Sequence, residues 1–264
     1  MNNIINSIYN MGLIDELSKK NTFIHKLHPL VKLLTTIFYL VTVLSFNKYE
    51  IIWLIPFVFY PVLIFSLGEI PVLAILKKLL FALPFILGIG IVNIFFDKDI
   101  VNIAGIYIYS GYLAFISVFI KYALTVIASI LLIATTGIDR LCTALRMLKI
   151  PKVFILQFLL TYRYISILTE EVSTMSRAYL LRAPRQKGIH PKIWGSFAGQ
   201  LLIRSYDRAE RVYEAMVLRG FNGEYNTDGI EKMQLKDFLY LIIWSIGFIF
   251  SRCINIPNFI GSLF

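Results

Sequence analysis

Two arginines stand out in this chain for the chemistry their surroundings allow. Arg182 closes the run Ala178-Tyr179-Leu180-Leu181-Arg182-Ala183, and Arg219 closes Ala215-Met216-Val217-Leu218-Arg219-Gly220. Both runs read Ala, two bulky residues, Leu, Arg and a small residue. Each meets a helix stop at once, Pro184 in the first case and Gly220-Phe221-Asn222-Gly223 in the second. A guanidinium is a rigid planar fork of donors that can engage a carboxylate or backbone carbonyls two bonds at a time. The small neighbour, Ala183 or Gly220, lets a partner's backbone come close. One arginine in the last turn of a helix is ordinary, because it complements the helix dipole by about 0.3–1 kcal/mol. Dipole chemistry does not explain the repetition. Two matched arginines at two helix ends read as a paired docking device, and a paired device points to a partner of two subunits.

The elements that present these arginines are read from apolar spacing. Ile138–Lys149 is expected to be a short amphipathic helix with Leu141, Leu145 and Leu148 on one side. Pro151 suits the first turn of a second helix running to about Arg182. Such a helix of about 30 residues is on the order of 45 Å long. A third helix is expected from about Pro191 to Arg219, with apolar residues recurring at Trp194, Phe197 and Leu201, then at Ala209, Val212, Tyr213 and Met216. Arg204, Arg208 and Arg211 lie along another side, and Asp207 with Arg211 makes an acid-first pair four residues apart.

Composition places these helices beside a membrane. Of 264 residues, 58% are hydrophobic and only 16% charged, against about a quarter charged in a soluble domain. The mean hydropathy is +0.72. This is the composition of an integral membrane protein. The net charge of +10 then reads as cytoplasmic loops beside anionic lipid, not as nucleic-acid binding. The two cysteines, Cys142 and Cys253, are far apart and give no disulfide framework. The start, Met1-Asn2-Asn3-Ile4-Ile5-Asn6, has no basic stretch leading into an apolar run and is not expected to be a cleaved signal peptide.

Five apolar segments are long enough to span a bilayer, which takes roughly 17–25 helical residues: Leu30–Phe46, Ile51–Leu67, Leu79–Phe96, Tyr112–Thr136 and Phe238–Ile254. Gly68-Glu69-Ile70-Pro71 and Lys77-Lys78 are read as marking the second turn, and 97–111 as a loop with a short apolar piece at Ile103–Tyr109. Basic residues gather in alternate connections. Lys19, Lys20, Lys26 and Lys32 precede or open the first segment, Lys77 and Lys78 follow the second, and residues 137–236 hold 16 basic and 9 acidic groups. The other two connections hold one lysine each, Lys48 and Lys98. The excess of Lys and Arg on the inner side puts the N-terminus in the cytoplasm. The chain then divides into residues 1–136 (N-terminal segment and four spans), 137–236 (a cytoplasmic helical cassette) and 237–264 (final span and short tail). Val153–Leu168 is apolar enough for a sixth span, but Gln157, Thr161 and Arg163 interrupt it. A central arginine costs about 2.5–3.5 kcal/mol on insertion scales, so a helix lying at the surface is preferred while the sixth span stays open.

Other side chains offer little chemistry. There is no Gly-x-x-x-x-Gly-Lys-Ser/Thr phosphate loop, so any ATP that drives this protein is bound by another chain. His25 and His28 lie three apart without a nearby Cys or carboxylate, a weak metal signal, and no metal ligand is assigned. Pro29 places His28 at a helix boundary, and His190 before Pro191 reads as a loop or cap residue. Lys121 is a charge inside a span, where a functional role and snorkelling to the interface are both open. Pro56, Pro61 and Pro84 are candidate kinks. No carboxylate pair or nucleophile–base set supports an enzyme.

At this point the sequence resembles a family. Helices ending in Ala/Leu-Arg-small are typical of the transmembrane T components of energy-coupling-factor transporters, a class of ABC transporter. The stretch from Gly199-Gln200-Leu201-Leu202-Ile203-Arg204 through Leu218-Arg219-Gly220-Phe221-Asn222-Gly223 is similar to the cobalt-transport branch, CbiQ. Leu27-His28-Pro29-Leu30-Val31-Lys32-Leu33 is similar to that family's Pro-x-x-Lys-Leu opening of the first span. Leu30 stands where many members carry arginine, and Ala183-Pro184 replaces the commoner Gly-Phe.

The resemblance implies an all-α, multi-pass subunit of a bacterial cytoplasmic membrane that is not itself a catalyst. Arg182 and Arg219, with Leu181, Ala183, Leu218 and Gly220, would dock on a dimer of ATP-binding subunits that hold ATP and Mg. Ala178, Ala215, Arg204, Asp207, Arg208 and Arg211 would support the coupling helices. Their motion would act on a separate substrate-binding membrane S component for cobalt uptake. A T component for nickel or a vitamin is the near alternative. An ion-coupled secondary transporter is the distant one, and it requires polar residues and broken helices at mid-membrane, which are scarce here.

Overall fold

The computed structural model describes residues 16–48, 50–96, 100–103, 106–183, 188–223 and 233–253. In chain order the elements are α1 (Phe23–Lys26), α2 (Pro29–Leu44), a 3-10 turn at Ile52–Val58 that runs into α3 (Phe59–Gly68), and α4 (Val72–Phe96). A hairpin of β1 (Ile100–Ile103) and β2 (Ile106–Tyr109) precedes α5 (Ser110–Thr136) and α6 (Ile138–Met147). Then come α7 (Lys152–Arg182), a short 3-10 turn at Pro191–Ile193, α8 (Trp194–Leu218) and α9 (Leu235–Cys253). The chain forms two compact units, Leu17–Leu141 with Glu231–Phe264, and Cys142–Ile230 with Met1–Glu16. The sequence readings at Met1–Asn6, Pro184 and Lys98 lie outside the described residues.

A helix lies at each of the five apolar segments. One boundary differs. α4 opens at Val72, so Lys77 and Lys78 sit inside a helix and do not mark a turn. The turn is complete before them: Gly68 ends α3, Glu69 takes a left-handed conformation with φ 49°, and Pro71 directly precedes the new helix. The second segment begins as a 3-10 helix because Pro56 has no N–H to give and the backbone tightens to i→i−3 bonds around it. The third connection also does more than expected. Rich in Ile, Val and Tyr, it pairs as an antiparallel ladder with Ile100 opposite Tyr109 and Ile103 opposite Ile106.

The core of the larger unit is aromatic. Tyr39 of α2 stacks obliquely on Tyr60 of α3 with ring centres 4.7 Å apart, and Trp244 of α9 meets Tyr60 edge-on at 4.7 Å. Phe248 of α9 stacks on Phe57 at 6.0 Å. Buried tyrosines require a partner for the hydroxyl. Tyr39 donates to the Phe57 carbonyl at 3.0 Å, and Tyr60 lies 3.3 Å from the Thr36 hydroxyl. Tyr122 of α5 donates to the Leu79 carbonyl at 2.7 Å and fastens α5 to α4.

The outside of the same helices is also apolar. Ile37, Val41 and Leu44 on α2, and Leu239, Ile243, Ile246 and Phe250 on α9, are exposed at spacings of three and four. A helix apolar both toward its core and away from it suits hydrocarbon, not water. α5 and α7 are each long and apolar enough to cross a membrane by length and composition.

Candidate docking site at two helix ends

The Cys142–Ile230 unit carries the two arginine runs. α7 ends on Arg182, its last helical residue, and the Ala183 N–H closes the turn onto the Tyr179 carbonyl at 3.0 Å. α8 ends one residue earlier in its run, at Leu218, so Arg219 is the cap and not a helical residue. The Gly220 N–H reaches the Val217 carbonyl at 2.9 Å and the Phe221 N–H reaches Met216 at 3.0 Å. This crossed pair of bonds is a Schellman motif, which needs a left-handed residue after the cap. Gly220, at φ +81°, supplies it without steric cost. Ala183 has φ −126°, so the two runs match in sequence but stop their helices differently.

Both tips present the same surface. Leu181 is 83% exposed and Leu218 is 89% exposed, each beside an exposed arginine. Ala178 and Ala215 are exposed as well. A bare leucine beside a guanidinium fork offers an apolar knob and a bidentate donor together. Further back, Arg204 of α8 forms an ion pair with Glu171 of α7 and joins the two long helices. Asp207 and Arg211 are exposed and Arg208 is half-buried. On α8 the ion pair among the described residues is therefore Arg204–Glu171, between helices and not along one.

The histidines are structural at both positions where the sequence places a helix boundary. His28 caps α2, its Nδ1 accepting the Leu30 N–H at 3.2 Å, and His190 caps the Pro191–Ile193 turn by accepting the Lys192 N–H at 3.3 Å. His25 is buried in α1, with the Thr22 hydroxyl 2.7 Å from Nδ1. Burial, and then the nearby Lys32 cation, hold its imidazole below the ordinary pKa. Among the described residues no three His, Cys, Asp or Glu side chains gather as a metal site.

Several charged side chains have roles that spacing alone does not reveal. Asp237 of α9 accepts the His28 N–H and the Gln234 N–H, both at 2.8 Å. Lys32 is buried and donates to the Thr135 carbonyl at 2.9 Å, and Arg140 donates to the His25 carbonyl at 2.7 Å. At the other end of the larger unit, Arg252 pairs with Glu50 at 3.2 Å and lies 4.2 Å over the Phe46 ring. Lys121 donates to the Phe46 carbonyl at 2.6 Å, so the charge inside its segment serves the chain end of α2. The Asn47 N–H, assisted by Arg252, holds the Glu50 carboxyl below its ordinary pKa. For Asp237, Lys32, Arg140, Arg252 and Glu50 the signal that could have marked them is a charge about one turn from an apolar segment's end; Lys121, well inside its segment, carries no such signal.

Comparison with known proteins bears on both units. Residues 20–228 match the family described as CbiQ, cobalt transport protein. A protein of Methanocaldococcus jannaschii that bears no functional name is 30% identical over 224 residues, 80% of this chain and 76% of its own length. The nickel permease LarQ of Lactiplantibacillus plantarum is 30% identical over 122 residues, 45% of this chain and 44% of its own. A Ycf92-like protein of Nostoc is 31% identical over 130 residues, 45% of this chain and 42% of its own. The last two matches span less than half of either chain, whereas the family match takes in α1 through α8, including both arginine runs. This chain therefore belongs to the CbiQ cobalt transport protein family, the T-component branch that its helix-end arginines resemble.

Proposed function

We propose that this chain is the membrane-embedded coupling subunit of an ATP-driven importer of a divalent transition-metal ion. The observation that carries the reading is the pair of exposed Leu-Arg tips, Leu181-Arg182 and Leu218-Arg219, at the ends of two long helices in a compact unit of their own. Arg182 and Arg219 dock on two ATP-binding subunits, with Ala183 and Gly220 giving room for the partner backbone. Those subunits hold the ATP and Mg; this chain binds neither. Arg204 and Glu171 keep the long helices moving together, with Ala178, Ala215, Asp207, Arg208 and Arg211 as their supporting surface.

The membrane arrangement follows the same reading. The five helices at the apolar segments, α2, the α3 segment with its 3-10 lead, α4, α5 and α9, are the spans, and residues 137–236 form the cytoplasmic cassette. Two groups of contacts support alternation. Lys20 reaches the Glu69 carbonyl at one end of the bundle, where Arg140 and Asp237 also lie against α1 and the start of α2. The loop of Glu50 meets the C-terminal end of α9 at the other. With the lysine-rich end inside, the N-terminus is cytoplasmic. A separate membrane subunit selects the ion, which agrees with a chain whose histidines are used as caps and packing groups.

Cobalt is the substrate favoured by the family description, and nickel is the second reading because the LarQ relative is named a nickel permease. Purification of the wild-type chain from its own cells in mild detergent tests the proposal. ATP-binding subunits should co-purify, and the purified assembly should take up cobalt(II) or nickel(II) into liposomes only with ATP. A well-folded chain that captures no ATPase contradicts it.

A further inference from the structure

We infer that the stretch Ser18–Lys32 is a collar that binds together the connections at one end of the bundle, with Arg140 and Asp237 as its positioning residues. Five contacts within one compact unit carry this. Lys20 Nζ donates to the Glu69 carbonyl at 2.7 Å, in the connection between α3 and α4. Ser18 Oγ lies 2.9 Å from where a Cβ on Gly137 would stand, and Gly137 has φ +74°, so only glycine passes here. Arg140 donates to the His25 carbonyl at 2.7 Å. The His28 N–H donates to Asp237 at 2.8 Å, and Lys32 donates to the Thr135 carbonyl at 2.9 Å.

The chemistry of these contacts is directed. Lys32 sits in the first turn of α2, where the helix dipole disfavours a cation. Its burial there is explained by the C-terminal carbonyls of α5, which lack helical partners and attract positive charge. Asp237 accepts from Gln234, at the start of its own helix, and from His28 on the collar, so one carboxylate fixes both. The crossings between the two compact units fall after Glu16, after Leu141 and before Glu231. The collar begins next to the first crossing, Gly137 and Arg140 precede the second, and Asp237 follows the third. The collar thus gathers, within the bundle unit, the stretches of sequence that adjoin the Cys142–Ile230 residues.

The use of the collar in transport rests on the coupling reading above; the collar itself does not, and the two are tested separately. Amide hydrogen exchange on the chain alone in detergent reads the collar. In Arg140→Ala the amides of His28 and Gln234, far along the chain, should exchange about tenfold faster, as expected for losing a charge-assisted bond in a shared cluster. Arg140→Lys, which keeps one donor, should restore protection. Protection unchanged at both amides overturns the collar. If Arg140→Ala does not fold, Asp237→Asn should speed exchange in residues 138–141, and no change there overturns it equally. In proteoliposomes holding the whole assembly, Arg140→Ala should raise the ATP consumed per cobalt(II) imported while ATPase capture stays intact. Hydrolysis and uptake falling in proportion would show that the collar has no part in coupling. Loss of ATPase capture by the wild-type chain would instead count against the docking reading, leaving the exchange result to stand.

Discussion

Asp237 and His28 are 209 residues apart in sequence and 2.8 Å apart in space, carboxylate oxygen to backbone N–H. Both are buried, and the bond joins the start of the last helix to the start of the first long one. Removing the carboxylate leaves the buried His28 N–H, and the N–H of the exposed Gln234, without their acceptor. Asp237→Ala should cost about 1–3 kcal/mol, and Asp237→Asn less because one amide oxygen remains. Thermal unfolding in detergent checks the order wild type, Asn, Ala.

His25 gives the structure a pH dependence. Its imidazole is buried beside Lys32, and its pKa is held below the ordinary 6.5. In the unfolded chain it binds a proton near pH 6.5, while in the folded chain it binds one only at lower pH. Stability is therefore full above pH 6.5 and falls as pH drops through the window between the two values. The unfolding midpoint should decline from pH 7 to pH 5, and His25→Gln should flatten that slope.

The two helix ends should respond differently to exchange of their small residues. Gly220→Ala forces a Cβ into a left-handed position, at a cost of about 1–2 kcal/mol, and should fray the turn that holds Arg219. Ala183→Gly changes a residue with negative φ and should leave the α7 tip in place. Exchange protection of Gly220 and Phe221, read against that of Ala183, separates the two.

Arg204 and Glu171 form a part-exposed pair, with side chains 50% and 24% exposed. Such pairs are worth about 0.2–1 kcal/mol, so a double-mutant cycle of Arg204→Ala and Glu171→Ala should give a coupling in that range. The larger effect should be on transport, where separation of α7 from α8 reduces uptake more than it reduces stability.

Most of the long helices were legible because they span long apolar or amphipathic runs with Gly or Pro at one end or both; α9 was read from its apolar run alone, and the four-residue α1 was not read. Gly220 announced a helix stop, and His28-Pro29 announced a helix start. What spacing could not give was the long-range pairing. Asp237, Lys32, Arg140 and Arg252 look in sequence like charges at the margins of spans, and their partners are mostly backbone N–H and carbonyl groups that nearly every residue has. Lys77 and Lys78 misled as a turn signal because lysine is a good helix former that often flanks membrane segments. The 100–109 hairpin was hidden because a short run of Ile, Val and Tyr fits loop, strand or interfacial helix alike.

Docking through the paired arginines is tested most directly by Arg182→Ala combined with Arg219→Ala, measured as ATPase subunits retained per chain on purification. The double variant should lose most of its ATPase while its thermal midpoint stays with the wild type, since both side chains are exposed and at helix ends. Full retention of the ATPase, with uptake unchanged, would contradict the proposal that these two arginines hold the motor.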